Sequence, residues 1–376
     1  MLIRSASSFG YSQTFEIVSG GFATPYHLSS VPGTLSGCVY RADGAMVDAS
    51  ERKGGHYGDL MVSGNPPQLD RPEGMRPLAG RGVYLGNYMS HYGHFIFETL
   101  STSWVFQELD PSSFDYFLFH PFVFGTRLPA HALFCFERLG IDPSRIVFVG
   151  PEGTSFDELV VPERLTRINH SGDPRLAWVY SRITEAAALP EPPCRRLYVS
   201  RRRFAARNFR RVVANEVRVE ALFRQAGFEV LYPEAMTFPE QIAALRNAAV
   251  VAGISGSNLF NVLFAPKDTL LIEIGDPRYK GNPNPCQTVC NAIVGARGHF
   301  IPFKGKVFGP RLTMLADLDY LAEKLDTLLR AELAGFDAPP LAAPPRAARD
   351  LMEIGYRSIR PNAGHVLRRA FKKKPR

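Results

Sequence analysis

Residues 196–274 encode an α/β unit built on a parallel sheet. Short apolar runs (RLYVS at 196–200, FEVLY at 228–232, AVVAG at 249–253, TLLIEI at 269–274) alternate with stretches of helical periodicity. Strands separated by helices of about ten residues pair in parallel, with right-handed crossovers. The chain has 376 residues, 45% hydrophobic and 21% charged, the ordinary mix of a globular protein. At about 100–200 residues per domain this length holds two domains, each with its own core. Pro-rich residues 189–193 mark the joint. The expected division is 1–190, 191–335, and a Pro/Ala-rich linker with a basic tail at 336–376.

In chain order, residues 1–80 are rich in Gly, Ser and Pro and read as strands and loops, and residues 82–85 as a short strand. Residues 92–109 (YGHFIFETLSTSWVFQEL) predict one long helix, stopped by Asp110-Pro111. Residues 114–120 and 145–150 read as buried strands with a helix at 130–139 between them, and a further helix at 174–188 runs into the linker. Beyond it, a helix is expected at 215–226. The sequence Thr237-Phe-Pro-Glu240 is a capping box opening a helix to 247, a short helix follows at 257–264, and a last one spans 315–333.

Lys and Arg number 44 against 36 Asp and Glu, a net charge of +8. Eight basic residues and no acid lie between Arg357 and Arg376, so the body of the chain is neutral and the excess belongs to the tail. A nucleic-acid groove would recruit charge from the body too, so nucleic acid is not the expected partner. The tail, with Leu367 and Phe371 among its cations, reads either as a peripheral contact with anionic membrane or as a solubilising end. The five cysteines (Cys38, Cys135, Cys194, Cys286, Cys290) form no CxxC, and Cys286 and Cys290, four apart, read as buried thiols on one helix face. No signal peptide and no apolar run of about 18 residues is read, so the expected location is cytoplasmic.

Four constellations carry chemistry. His94 and Glu98 stand four apart on the predicted helix, where a carboxylate orients an imidazole as a general base requires. The competing role is a capping His94 with Glu98 on a solvated face. Arg201 and Arg202 end a strand, with Arg207 close behind. Guanidinium groups there suit phosphate, unless the run is a solvated basic loop. Gly253-Ile-Ser255-Gly256-Ser257-Asn258-Leu-Phe-Asn261 joins a strand to a helix with small residues, suiting close approach of an anion, though packing alone also favours such a turn. Glu273, closing TLLIEI, reads as exposed at the same sheet edge, where it accepts either from a ribose or from Arg201 or Arg202. The acids of Asp317-Leu-Asp319 suit the start of a helix, and no divalent-metal site is read.

Together, NYMSHYGHFIFETLS, LYVSRRRFAARNFRRVVANE, GFEVLYPEAMTFPEQI and AAVVAGISGSNLFNVLFAP…LLIEIG resemble glycosyltransferase family 61. The resemblance implies a GT-B-like fold: two Rossmann-like domains, each with a parallel sheet, and a cleft between an N-terminal acceptor side and a C-terminal nucleotide-sugar side. It implies inverting, metal-independent transfer from a nucleotide sugar, expected to be UDP-linked, to a hydroxyl of a glycan or lipid-linked acceptor in surface polysaccharide synthesis, with no further cofactor. His94 or Glu98 matches the base region. Arg201, Arg202 and Arg207 match the diphosphate contacts, Ser255, Gly256, Ser257, Asn258 and Asn261 the donor loop, and Glu273 the ribose contact. The family loop reads Gly-x-His-Gly-Ala-Gly-Leu-x-Asn, and here Ser255 stands at the His and Ser257-Asn258 at Ala-Gly. This departure points to altered donor specificity. The alternative is a catalytically silent carbohydrate- or nucleotide-binding scaffold of a polysaccharide-assembly complex, and a phosphate-binding regulatory protein is a third.

Overall fold

The computed structural model describes residues 14–28, 34–52, 55–56, 59–60, 62–122, 125–185, 192–203, 212–309 and 312–345. Arg207 and the basic tail lie outside the described residues. The first large sheet has seven strands: β1 (Phe15–Ser19), β2 (Phe22–Ala23), β3 (Val39–Tyr40), β4 (Arg76–Tyr88), β5 (Tyr116–Pro121), β6 (Ile146–Phe148) and β7 (Thr154–Pro162). Its spatial order is β6-β5-β4-β7-β2-β3, with β1 also beside β7. The strands β6, β5, β4 and β7 run parallel, whereas β1 and β2 pair antiparallel with β7. This sheet is therefore mixed rather than parallel throughout, because β1 and β2 run one after the other antiparallel along β7, and β3 pairs antiparallel with β2.

The second sheet has five parallel strands, β8 (Arg195–Val199), β9 (Glu229–Leu231), β10 (Ala248–Ile254), β11 (Leu270–Ile274) and β12 (Arg297–Ile301), in the order β9-β8-β10-β11-β12. The parallel alternation read from the sequence is present here. Five helices, α1 (Tyr92–Phe97), α2 (Ala130–Arg138), α3 (Ala177–Thr184), α4 (Phe238–Arg246) and α5 (Pro285–Val294), give apolar residues to one core shared with both sheets. Strand periodicity explains how: Val83 and Leu85 face this shared core while Tyr84 faces the opposite one, and Leu197 and Val199 face it while Tyr198 turns away. The helices Glu216–Gln225 and Leu318–Glu332 cover the outer face of the second sheet.

The predicted helix 92–109 is two pieces: α1 ends at Phe97 and a 3-10 helix occupies Thr99–Gln107. The turn after β10 is likewise a 3-10 helix, Leu259–Phe264, and residue 315 belongs to the strand Thr313–Ala316 rather than to the last helix. The capping box is present, with Thr237 and Glu240 bonded reciprocally at the start of α4. Cys286 and Cys290 are both buried on α5. Among the described residues no helix is long and apolar enough to cross a membrane.

Candidate active site

In an open α/β sheet, ligands settle beyond the carboxyl ends of the strands where the strand order reverses. The order β9-β8-β10-β11-β12 puts that point between β8 and β10. The residues that leave those ends are Ser200 and Arg201 after β8 and Ser255 to Asn258 after β10. Facing them across the gap are α1 and α2. A cleft of about 1080 Å³ lies between, lined by Tyr92, His131, Phe134, Ser200, Arg201, Glu234, Phe238, Ser257, Asn258 and Asn261 among others. A smaller pocket of about 230 Å³ adjoins it, lined by Gly93, His94, Asn169, Gly256, Arg278, Tyr279, Asn284 and Cys286. His91 and Ser257 line both.

The helix α1 supplies the smaller pocket with His94. Its i,i+4 spacing brings His94 Nδ1 to 2.5 Å from Glu98 Oε1. The N-cap position belongs to His91, not His94, and Glu98 is 4% exposed, so neither the capping role nor the solvated face is realised. The other oxygen of Glu98 accepts from Arg52 Nε at 2.9 Å and Nη2 at 2.7 Å. Burial works to raise the Glu98 pKa, but Arg52 and His94 outweigh it and hold the carboxyl at about 2. A buried, ionised carboxylate with both oxygens engaged serves to orient a base. Of the pair, His94 is the more open member, with a third of its side chain exposed.

The turn after β10 is fastened from several sides. Ser255 donates its backbone N–H to Ile274 O at 2.8 Å, and its carbonyl accepts from Arg201 Nη1 at 3.3 Å. Its side chain is fully buried beside Glu273, where Oγ has no hydrogen bond of good geometry among the described residues. At Gly256 a Cβ would meet Arg201 Nη1 at 2.8 Å, so the close approach of the guanidinium requires glycine. Asn258 Nδ2 donates to Val199 O at 3.3 Å, and Asn261 Oδ1 accepts from the Tyr92 hydroxyl, tying the turn to α1.

The two neighbouring arginines part company. Arg201 is 8% exposed, lines the larger cleft and donates its backbone N–H to Glu216 at 2.7 Å; burial lowers its pKa, opposed by Glu216 and Asp276. Arg202 donates from Nε to Glu220 at 3.0 Å and from Nη2 to the Tyr232 hydroxyl at 2.9 Å, and lines neither space. Glu273 differs from expectation. It is 2% exposed rather than open at the sheet edge, and it accepts from Asn284 N at 3.1 Å instead of from Arg201 or Arg202. It supports the smaller pocket from behind, through the N-cap residue of α5.

Sequence reasoning missed Arg52, Glu216 and Arg278. Glu216 carried a usable signal, since Glu216 and Glu220 are four apart on one helix, and their carboxyl groups lie 3.3 Å and 2.8 Å from Ser200 Oγ. Arg278 sits on an Asp-Pro turn, where Asp276 caps its N–H and holds its guanidinium at 2.9 Å. Arg52 carried none.

No curated protein matches the chain. A family model, Glycosyltransferase 61, matches residues 92–272. That match takes in His94, Glu98, Arg201 and the turn to Asn261, while Arg52, Glu273 and Arg278 fall outside it. The stretch of chain that builds most of the cleft is thus the stretch that matches the Glycosyltransferase 61 family model.

Proposed function

We propose that the protein moves a sugar from a nucleotide-sugar donor to a hydroxyl of a glycan or lipid-linked acceptor, with inversion and without a metal ion, in surface polysaccharide synthesis. In this reading residues 1–190 form the acceptor side of a GT-B-like pair, residues 191–335 the nucleotide-sugar side, and the basic tail meets anionic membrane where lipid-linked acceptors reside. The observation that carries it is the His94–Glu98 pair facing, across the smaller pocket, the Gly256–Ser257 turn that borders the larger cleft. Inversion needs one base. His94 Nε2 takes the acceptor proton as the acceptor oxygen bonds to the anomeric carbon, and the bond from that carbon to the diphosphate breaks on the opposite face. Glu98 stabilises the imidazolium that forms. The nucleoside diphosphate leaves with a negative charge that Arg201, and the turn's backbone N–H groups, are suited to meet. Arg202 is committed to Glu220 and takes no part.

Calorimetric titration with a panel of nucleotide sugars in EDTA, with UDP, GDP and CMP as controls, tests the proposal. One nucleotide should bind at micromolar Kd, most simply UDP. The same donor should release nucleoside diphosphate, and His94→Ala should lower that release about 10²-fold or more with donor binding kept. Silence across the panel would replace the transferase with the scaffold reading.

A further inference from the structure

Arg52 stands 46 residues before Glu98 in the chain and outside the stretch that matches the family, yet it holds half of the Glu98 carboxylate. Arg52 Nε and Nη2 both donate to Oε2, whereas Oε1 is the oxygen bonded to His94 Nδ1. The side chains of Arg52 and Glu98 are 8% and 4% exposed, and the guanidinium lies over the Phe122 ring at 5.2 Å. Charges in so poorly solvated a place act strongly on one another. A buried carboxylate facing only an imidazole draws a proton onto the ring, and an imidazolium has no lone pair with which to accept another. A guanidinium, permanently charged, opposes that pull when it shares the same carboxylate. Among the described residues, the other titratable or charged groups around the pair are His91, whose ring centre is 5.5 Å from that of His94, Arg278, Tyr279 and Cys286 in the same pocket, and Tyr26 near Arg52 and Glu98.

We propose that Arg52 is a positioning residue that balances the charge of Glu98 and so keeps His94 unprotonated, with Nδ1–H on the carboxylate and Nε2 ready for the acceptor proton. The inference rests on the reading of His94 as base, and it gives the N-terminal segment a part in the site. Balance is the essential feature: with Arg52 present, Glu98 orients the ring without trapping it as a cation.

Three variants of the full chain test this: Arg52→Met, Arg52→Lys and the double variant Arg52→Met/Glu98→Gln. Each is read by the pH profile of nucleoside diphosphate release and by an NMR titration of the His94 ring, assigned with His94→Ala. A neighbouring charge within reach moves a titration by ~1–3 pH units, and a like charge moves it against ionisation. Arg52→Met should therefore move both the acid limb and the ring midpoint upward by about one unit or more, with the lost rate returning at alkaline pH. Arg52→Lys should restore the wild-type midpoint. The double variant should lose the upward shift and stay slow at every pH. An unmoved midpoint in Arg52→Met, with the rate lowered equally at all pH values, would overturn the proposal and leave Arg52 a structural brace. The ring titration needs no turnover, so a protein without transferase activity would remove the base reading while the charge balance is still judged.

Discussion

Arg201 and Arg202 share a side chain and a strand end, yet their neighbours give them different work. Arg201 donates from Nη1 to the Ser255 carbonyl and lines the larger cleft. Arg202 closes a network with Glu220 and Tyr232, and its side chain is 40% exposed. Replacing Arg201 by Ala should cut donor affinity by the ~1.5–3 kcal/mol of a charged hydrogen bond, roughly ten- to a hundredfold in Kd. Arg202→Ala should leave Kd within about twofold but cost roughly 1–3 kcal/mol of stability, because it takes a hydrogen-bond partner from the buried Glu220 carboxylate. Calorimetry for Kd and a thermal melt for stability separate the two. Equal losses of affinity in both variants would place the phosphate contacts on the run as a whole and remove the distinction.

At the scale of elements, the approach of α1 to the turn after β10 sets the geometry of the site. Gly93 is what permits it: a Cβ there would stand 2.6 Å from Ser257 Cβ, an atom too close to backbone to swing aside. Gly93→Ala should push α1 off the turn, costing roughly 1–3 kcal/mol of stability as overpacking does. A displacement of about 1 Å at a reacting pair can cost ~10² in rate, so kcat should fall well beyond what the Tm change implies, with donor Kd little altered. Wild-type kcat in this variant would mean that α1 does not position the base. The sequence revealed α1 by its helical period but hid its end. From Thr99 the side chains are buried on every side, so no amphipathic face marks the change to a 3-10 helix. Ser101 Oγ bonds Glu98 O, a carbonyl that a continuous α-helix would use, while Thr99 Oγ1 exchanges hydrogen bonds with Asn87 O and Met89 N and ties the stretch to the end of β4. The same contrast governs the site. His94 with Glu98 was legible because their contact is local, whereas Arg52 meets Glu98 across 46 residues of chain that carry no period linking them. Glu273 was misplaced because β11 is buried on both faces, so its last acid is enclosed rather than exposed.

For the whole molecule, the buried carboxyls beneath the cleft enter the stability balance with opposite signs. Burial lifts Glu216 to about 7 and Glu273 to about 7, whereas Arg52 and His94 overcome burial to hold Glu98 at about 2. Glu98 stabilises the fold at neutral pH, and that contribution fades only as pH falls from the ordinary carboxyl range toward about 2. For Glu216 and Glu273 the folded chain keeps a proton that the unfolded chain releases near pH 4.5, so their contribution is lost as pH rises from there to about 7. Two buried imidazoles work against this loss. Burial lowers His120 and His131 to about 4, so the unfolded chain takes up protons that the folded one refuses, and stability from these two rises with pH up to about 6.5. Between pH 4.5 and 6.5 the two pairs oppose one another, and the wild-type melting temperature should vary little. Glu216→Gln keeps the acceptor oxygen that Arg201 N and Ser200 Oγ use while removing one side of that balance. Its Tm relative to wild type should therefore climb as pH rises from 4.5 to 7 and then hold level, a slope that scanning calorimetry at half-unit intervals resolves. A difference that stays constant across this range would mean that Glu216 is ionised in the folded protein, with Arg201 and Ser200 enough to keep it so.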